Sequence, residues 1–169
     1  AAAVKKGTAE KKKLTKISIL HTGGTIASKV DYKTGGVISQ FTAQDMLELF
    51  PELKKIASVK SRKIAQLQSE MMRFPHYNLM AREAKREIEN GADSIILTQG
   101  TDTLHYTSAA LAFIFEQFPV PVILVGAQRS SDRGSTDAAL NLISAAYFVA
   151  TSDFAGVAIG TTVAASIED

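Results

Sequence analysis

The sequence contains no cysteine, and its three histidines, His21, His76 and His105, stand far apart. The first absence excludes a disulfide framework and a thiolate metal site, and the second removes the close ligand spacing of a histidine-based metal centre. No metal and no cofactor is expected. Nor does any apolar run approach the roughly 20 residues that cross a bilayer. The opening AAAVKKGTAEKKKLTK lacks the continuous apolar stretch of a secretory leader. The expectation is a soluble, cytoplasmic protein without a membrane partner.

The 169 residues, 46% of them hydrophobic, suffice for one buried core but not comfortably for two. The formal charge of +2 is unevenly placed: residues 1–16 hold six Lys against one Glu, leaving thirteen basic and sixteen acidic residues in the remainder. The folded part is therefore mildly acidic. Residues 1–15, small and charged without periodicity, read as a flexible Lys-rich linker, with a single globular unit expected over 16–169.

From Lys16 onward, short apolar runs alternate with helix-periodic stretches. ISIL at 17–20 is a β-type run, 59–67 alternates, 94–97 and 121–125 are continuous apolar strands, and 156–159 is a last one. Between them, Thr42 and Asp45 open a helical pattern that Pro51 bends or restarts. Met80, Ala84 and Ile88 mark a helix closed by Asn90-Gly91. Leu104, Ser108, Leu111, Phe115 and Phe118 predict a longer helix stopped by Pro119, and an Ala-rich helix is expected over 136–150. Gly35-Gly36, between Tyr32 and Val37-Ile38, suits a mobile hairpin. Alternating strands and helices predict an α/β fold, a doubly wound and mainly parallel sheet with helices on both faces. In such sheets ligands bind beyond the carboxyl ends of the strands, where the polar segments 21–25, 68–71, 98–103 and 126–133 all fall.

Each polar segment has a structural and a chemical reading. Thr22-Gly23-Gly24-Thr25 is either a strand-to-turn junction with capping hydroxyls or a turn that presents Thr25 as a nucleophile, with close backbone approach permitted at the glycines. It is not a dinucleotide loop, which needs a third glycine in the G-x-G-x-x-G spacing. Within Gln99-Gly100-Thr101-Asp102-Thr103, at least one side chain is expected to cap the following helix. Three adjacent oxygen-bearing side chains, one of them a carboxylate, exceed what one cap needs, and the helix N-terminus offers N–H groups to an oxyanion. In Gln128-Arg129-Ser130-Ser131-Asp132-Arg133, ion pairing of Arg129 or Arg133 with Asp132 or Asp137 is the simplest explanation of the charges. Tyr32 and Ser69-Glu70 are ordinary when taken alone.

Taken together, TGGTIA at 22–27, Ser-Glu-x-Met at 69–72 and GTDT at 100–103 are ordered motifs that resemble the asparaginase and glutaminase family of amidohydrolases. The resemblance covers essentially residues 16–160, which makes 16–169 similar to the family's N-terminal α/β domain. It implies that Thr25 is a nucleophile, that Tyr32 helps to activate it, and that Thr101 and Asp102 are the second catalytic Thr and its Asp. Ser69 and Glu70 would then hold the α-carboxylate and α-amine of glutamine or asparagine, with Gly24 and Gly100 beside them. It also implies a homodimer whose smaller C-terminal domain completes the neighbouring site, and a catalytic Lys that would lie beyond Asp169. The chain is thus expected to be a fragment.

Gln99 stands where many members of the family have His. The wording Ser28-Lys29-Val30-Asp31-Tyr32, with the 128–133 run and Ser135-Thr136-Asp137-Ala138, resembles one branch: the glutaminase subunits of archaeal glutamyl-tRNA(Gln) amidotransferases. That branch implies ammonia supply to a partner subunit that amidates Glu-tRNA(Gln), and through it a tRNA, with the Lys-rich start linking a further N-terminal domain. The alternatives are a free-standing L-asparaginase and, in a different class, a non-catalytic amino-acid binding module.

Overall fold

The strands that the chain buries most completely are those richest in uninterrupted apolar residues. In the computed structural model, which describes residues 14–24, 26, 29–30, 37–38, 48–129, 131 and 136–161, β1 (Lys16–Gly23) is buried from its second residue onward. β5 (Ser94–Thr98) is buried throughout, and β6 (Pro121–Val125) from Val122. All three are interior strands of one parallel five-stranded sheet, ordered β4-β1-β5-β6-β7. A parallel strand covered on both faces has no reason to alternate. The flanking strands β4 (Ser58–Leu67) and β7 (Gly156–Gly160) are only half-buried. Exposed Lys60, Lys63 and Gln66 along β4 give that sheet edge a charged rim that discourages pairing with another chain.

Alternate residues of each interior strand enter opposite cores. Ile17, Ile19, Ile96, Ile123 and Val125 pack with α1 (Leu53–Ile56) and α4 (Ala138–Thr151) on one face. Leu20, Ile95, Leu97, Val122 and Leu124 pack with α2 (Phe74–Glu89) and α3 (Leu104–Ile114) on the other. This is the doubly wound α/β arrangement that the sequence pattern predicts.

The order of the strands has a functional consequence. From β1 the chain moves outward to β4, then crosses back to lay β5, β6 and β7 on the other side of β1. The direction of winding therefore reverses between β1 and β5, and the loops leaving their carboxyl ends diverge there, which is where open α/β sheets bind ligands.

Several elements differ in extent from expectation. α3 ends at Ile114 rather than reaching Phe118: Phe115 caps it, and the chain turns so that Phe118 N–H bonds Phe115 O at 2.8 Å with the two rings 4.3 Å apart. Pro119 disfavours helical backbone at the residue before it, so the turn comes early while Phe118 still packs on the core. α4 begins at Ala138, because Thr136 and Asp137 are engaged by the preceding loop. Asn90 and Gly91, at φ +87, close α2 as expected. β2 (Lys29–Val30) and β3 (Val37–Ile38) form an antiparallel pair, consistent with the hairpin, whose turn with Tyr32 lies outside the described residues. The helix start at Thr42 also lies outside them. Among the described residues no helix is long and apolar enough to cross a membrane.

Candidate active site at the switch point

At the carboxyl end of β1 the ladder with β4 slips: His21 pairs with Lys63 but Gly23 with Leu67, so β4 carries extra residues against the same stretch of β1. Such an irregularity re-aims the strand that leaves it. Gly23 and Gly24 then adopt φ +112 and +81, a region that residues with a side chain rarely enter. Space makes the same demand. A Cβ on Gly23 would meet Leu67 O at 2.6 Å, and one on Gly24 would meet Gly100 Cα at 2.6 Å.

Gly100 follows β5, and Thr98, Gln99 and Gly100 are all buried there. A short 3-10 turn, Thr101–Thr103, leads from Gly100 into α3, and a matching turn, Ser69–Met71, follows β4. The two turns are hydrogen-bonded to each other twice. Ser69 Oγ donates to Asp102 Oδ2 at 2.8 Å, and Thr103 Oγ1 donates to Ser69 O at 2.7 Å. A Cβ on Gly100 would stand 2.9 Å from Ser69 Cβ, and one on Gly126, after β6, 2.7 Å from the Thr101 methyl. Loops from four strands thus meet where glycines leave no room for a further side chain.

The structure therefore brings Gly24, Ser69, Gly100, Thr101 and Asp102 together. Ser69 is buried and Thr101 half-buried, whereas Asp102 is exposed beside them. Glu70 is the exposed neighbour of Ser69, and its main-chain oxygen accepts from Arg73 Nη1 at 2.8 Å. Thr25 and Tyr32 lie outside the described residues. On either side of Thr25 the chain is anchored: Gly24 against Gly100, and Ile26, fully buried, whose carbonyl accepts from Ser131 Oγ at 2.6 Å.

One expectation is corrected, and a second is narrowed. No side chain of the GTDT segment caps α3: Thr103 occupies the cap position, but its hydroxyl makes no cap bond and reaches instead to Ser69. Asp137 does not pair with the Arg129 guanidinium among the described residues; Asp132 and Arg133, the other expected partners, lie outside them. The Asp137 carboxylate accepts from the backbone N–H groups of Gln128 and Arg129 at 3.0 and 3.1 Å, and from the side-chain amide Nδ2 of Asn141 at 3.2 Å. Burial pushes the Asp137 pKa up, but these donors outweigh it and hold it below the ordinary carboxylate value. Asn141 Nδ2 also donates to Gly126 O at 2.9 Å, which fixes the base of the 126–129 loop.

Beneath the loops lies a polar layer that the motif reading passed over. His21 is buried, with Nδ1 2.7 Å from Thr98 Oγ1 and Nε2 2.5 Å from Ser61 Oγ, so one ring ties β4, β1 and β5 together. Thr22 Oγ1 donates to Thr98 O at 2.8 Å. Desolvation lowers the His21 pKa to about 4, and the ring is neutral at neutral pH. The available signal was three polar residues, His21, Thr22 and Thr98, at the carboxyl ends of mainly apolar strands.

The family model described as asparaginase, N-terminal, matches residues 16–164. The chain belongs to the asparaginase family. A glutamyl-tRNA(Gln) amidotransferase subunit of the D type, from Methanosarcina barkeri, is 54% identical over 154 residues, 89% of this chain and 36% of that protein. The protein of the same name in Methanococcus vannielii is 61% identical over 133 residues, 78% and 31% respectively. Among solved structures, the thermostable L-asparaginase from Thermococcus kodakarensis superposes with a TM-score of 0.76 at 33% identity, covering 86% of this chain and 44% of that one. A probable cytoplasmic L-asparaginase from Campylobacter jejuni gives 0.72 at 28% identity, covering 86% and 43%. This chain therefore spans about a third of the length of those curated relatives. The resemblance carried by TGGTIA, Ser-Glu-x-Met and GTDT is borne out, and so is the fold.

Proposed function

We propose that this chain carries the amide-hydrolysing unit of a glutamine-dependent amidotransferase, acting in the cytoplasm with a partner subunit that converts Glu-tRNA(Gln) to Gln-tRNA(Gln). The observation that carries the reading is the hydrogen bond from Ser69 Oγ to Asp102 Oδ2, made where Gly24 meets Gly100 at the switch point of the sheet. It sets a carboxylate and a buried hydroxyl beside the segment that leads into Thr25. The identities above 50% to proteins named as amidotransferase subunits favour this reading over a free-standing L-asparaginase.

In the proposed reaction the Thr25 hydroxyl oxygen attacks the side-chain amide carbon, with Tyr32 assisting removal of its proton. The tetrahedral oxyanion draws on N–H groups at the start of the 101–103 turn, which no intrahelical acceptor satisfies. The amide nitrogen gains a proton and leaves as ammonia. Water, activated through the Thr101–Asp102 pair, then hydrolyses the acyl ester, releasing glutamate and restoring the hydroxyl. Ser69 and Glu70 hold the amino-acid end. A Lys beyond Asp169, a second domain and a second copy of the chain would complete the site, and residues 1–15 would serve as a linker.

The test is the glutaminase rate of the full-length protein with and without the partner subunit and Glu-tRNA(Gln). A rate that rises steeply with both supports the proposal, because hydrolysis uncoupled from its acceptor wastes glutamine. An equal rate on asparagine alone assigns a free-standing asparaginase. Failure of a diazo-ketone amino-acid analogue to label Thr25, read by mass spectrometry, alongside retained amino-acid binding, assigns a binding module.

A further inference from the structure

We infer that Gln99 is a positioning residue, whose amide sets the direction of the hydrogen-bond chain that locks the Ser69 turn to the Asp102 turn. This rests on the amide-hydrolysis reading and deepens it.

Gln99 is 1% exposed and follows β5 directly. Its backbone N–H bonds Val125 O at 3.1 Å, so the side chain springs from a fixed point between β5 and β6. Nε2 donates to Thr103 Oγ1 at 3.1 Å, and Thr103 Oγ1 donates to Ser69 O at 2.7 Å. The chemistry fixes these directions. A hydroxyl has a single proton. The Ser69 carbonyl can only accept, so the proton of Thr103 is committed to it and the Thr103 lone pairs face Gln99. Only a donor serves there, and the amide nitrogen is that donor.

The amide oxygen consequently points elsewhere, and Oε1 has no hydrogen-bond partner among the described residues. A buried acceptor without a partner is unfavourable for folding. Stability alone does not account for a polar side chain held in this way. Its benefit lies downstream: with the Ser69 carbonyl held by Thr103, the same residue's Oγ is aimed at Asp102 Oδ2. Gln99 touches neither of these groups and acts on the amino-acid-holding turn through Thr103.

Gln99→Glu keeps the shape and changes the direction. An ionised carboxylate only accepts, so the Thr103 proton turns toward it and the Ser69 carbonyl loses its donor from across the site, keeping only the Met72 N–H of its own turn at 3.0 Å; a protonated carboxyl donates again. In the full-length protein with its partner, Gln99→Glu is expected to raise KM for glutamine about tenfold once the carboxyl is ionised, an effect the size of one hydrogen bond, with kcat changed less than about threefold. KM falls back toward the parent value as pH is lowered and the carboxyl is protonated, a limb that the parent enzyme lacks. Gln99→His, which keeps a ring N–H in either charge state, retains KM within about threefold. If ionised Glu unfolds the protein, Gln99→Met supplies the arm without a donor, with KM raised at every pH. A Gln99→Glu KM profile parallel to that of the parent, or a Gln99→Met KM unchanged from it, overturns the inference and leaves amide hydrolysis standing. A parent protein that hydrolyses neither glutamine nor asparagine overturns both.

Discussion

Acid should weaken this fold through His21 before it reaches most carboxylates. The ring is buried and neutral, held between Thr98 Oγ1 and Ser61 Oγ. Its pKa is lowered from 6.5 to about 4 by desolvation. Once the chain unfolds, the ring regains its ordinary value, so between those two limits the unfolded state binds more protons than the folded one. The stability it confers is therefore complete above about pH 6.5, is lost as pH falls toward about 4, and does not change further below that. At about 1.4 kcal/mol per pH unit of separation, the full loss is about 3 kcal/mol, with about 2 kcal/mol gone by pH 5. That is a large share of the stability of an ordinary domain.

The measurement is urea unfolding of the parent protein and of His21→Gln at pH 7 and pH 5. Gln cannot titrate, so the parent should lose about 2 kcal/mol more than the variant between the two conditions, whatever the variant's own stability. A second reading comes from the imidazole signals of the folded protein by NMR, in which His21 should titrate near 4. Equal losses in parent and variant, or a midpoint near the ordinary 6.5, would refute the assignment of a neutral, buried ring bridging three strands.

Four further outcomes are expected. Ser69→Ala removes the donor to Asp102 and should lower kcat/KM for glutamine about 10- to 100-fold, as loss of a hydrogen bond to a charged group does, with a thermal midpoint near that of the parent. Gly24→Ala sets a methyl against the Gly100 backbone at a positive φ, and should both destabilise the protein by more than about 1 kcal/mol and reduce turnover about 100-fold; retention of both would separate the two loops. Asp137→Asn should flatten the acid side of the stability curve, because a carboxylate whose pKa is lowered in the folded state stabilises above its ordinary range and ceases to as pH falls through the folded value. Thr25→Val is expected to abolish amide hydrolysis with unfolding nearly unchanged; near-normal turnover would return Thr25 to a structural part.

The elements were legible because the determinants are local. IIL and VIL, and ISIL apart from Ser18, are apolar on both sides, and strands covered by helices on both faces read that way. Their lateral order was not, since nothing in residues 58–67 says that they pair outside β1 rather than between β1 and β5. The exposed Lys60, Lys63 and Gln66 are the trace of that edge position, and they become readable only once the sheet is known. At the site, the positions of the motifs at strand ends were visible, whereas the hydrogen-bond partners were misjudged wherever a nearby partner looked sufficient. One of Thr101, Asp102 and Thr103 was expected to cap the following helix, but Thr103, at the cap position, bonds Ser69, 34 residues earlier in the chain. For Asp137, a guanidinium was one expected partner, and in place of that of Arg129 it holds the backbone N–H groups of Gln128 and Arg129. In both cases tertiary contact offered a donor or acceptor already held in place, and a preset partner outcompetes a flexible side chain that must first be ordered.

The same reasoning explains why glycine stands on both sides of the switch point. Loops that leave neighbouring strands in opposite directions open a crevice, which alone would leave hydroxyls and carboxylates too far apart to act on one small molecule. Here the crevice is closed at its floor: the Gly24 and Gly100 backbones touch, Gly100 also meets Ser69, and Gly126 receives the Thr101 methyl. Each contact is possible only where a side chain is missing. In the proposed reaction the spacing of the groups is thereby set largely by where glycine main chain lets its neighbours approach, and main chain cannot change rotamer. The parts that remain adjustable are the side chains above that floor, Ser69, Asp102 and Thr103, and these are joined to one another by hydrogen bonds rather than left to solvent. A site built in this order has a rigid base and a cooperative upper layer, so substitutions at the glycines should act on fold and turnover together, while substitutions in the upper layer should act on substrate affinity first.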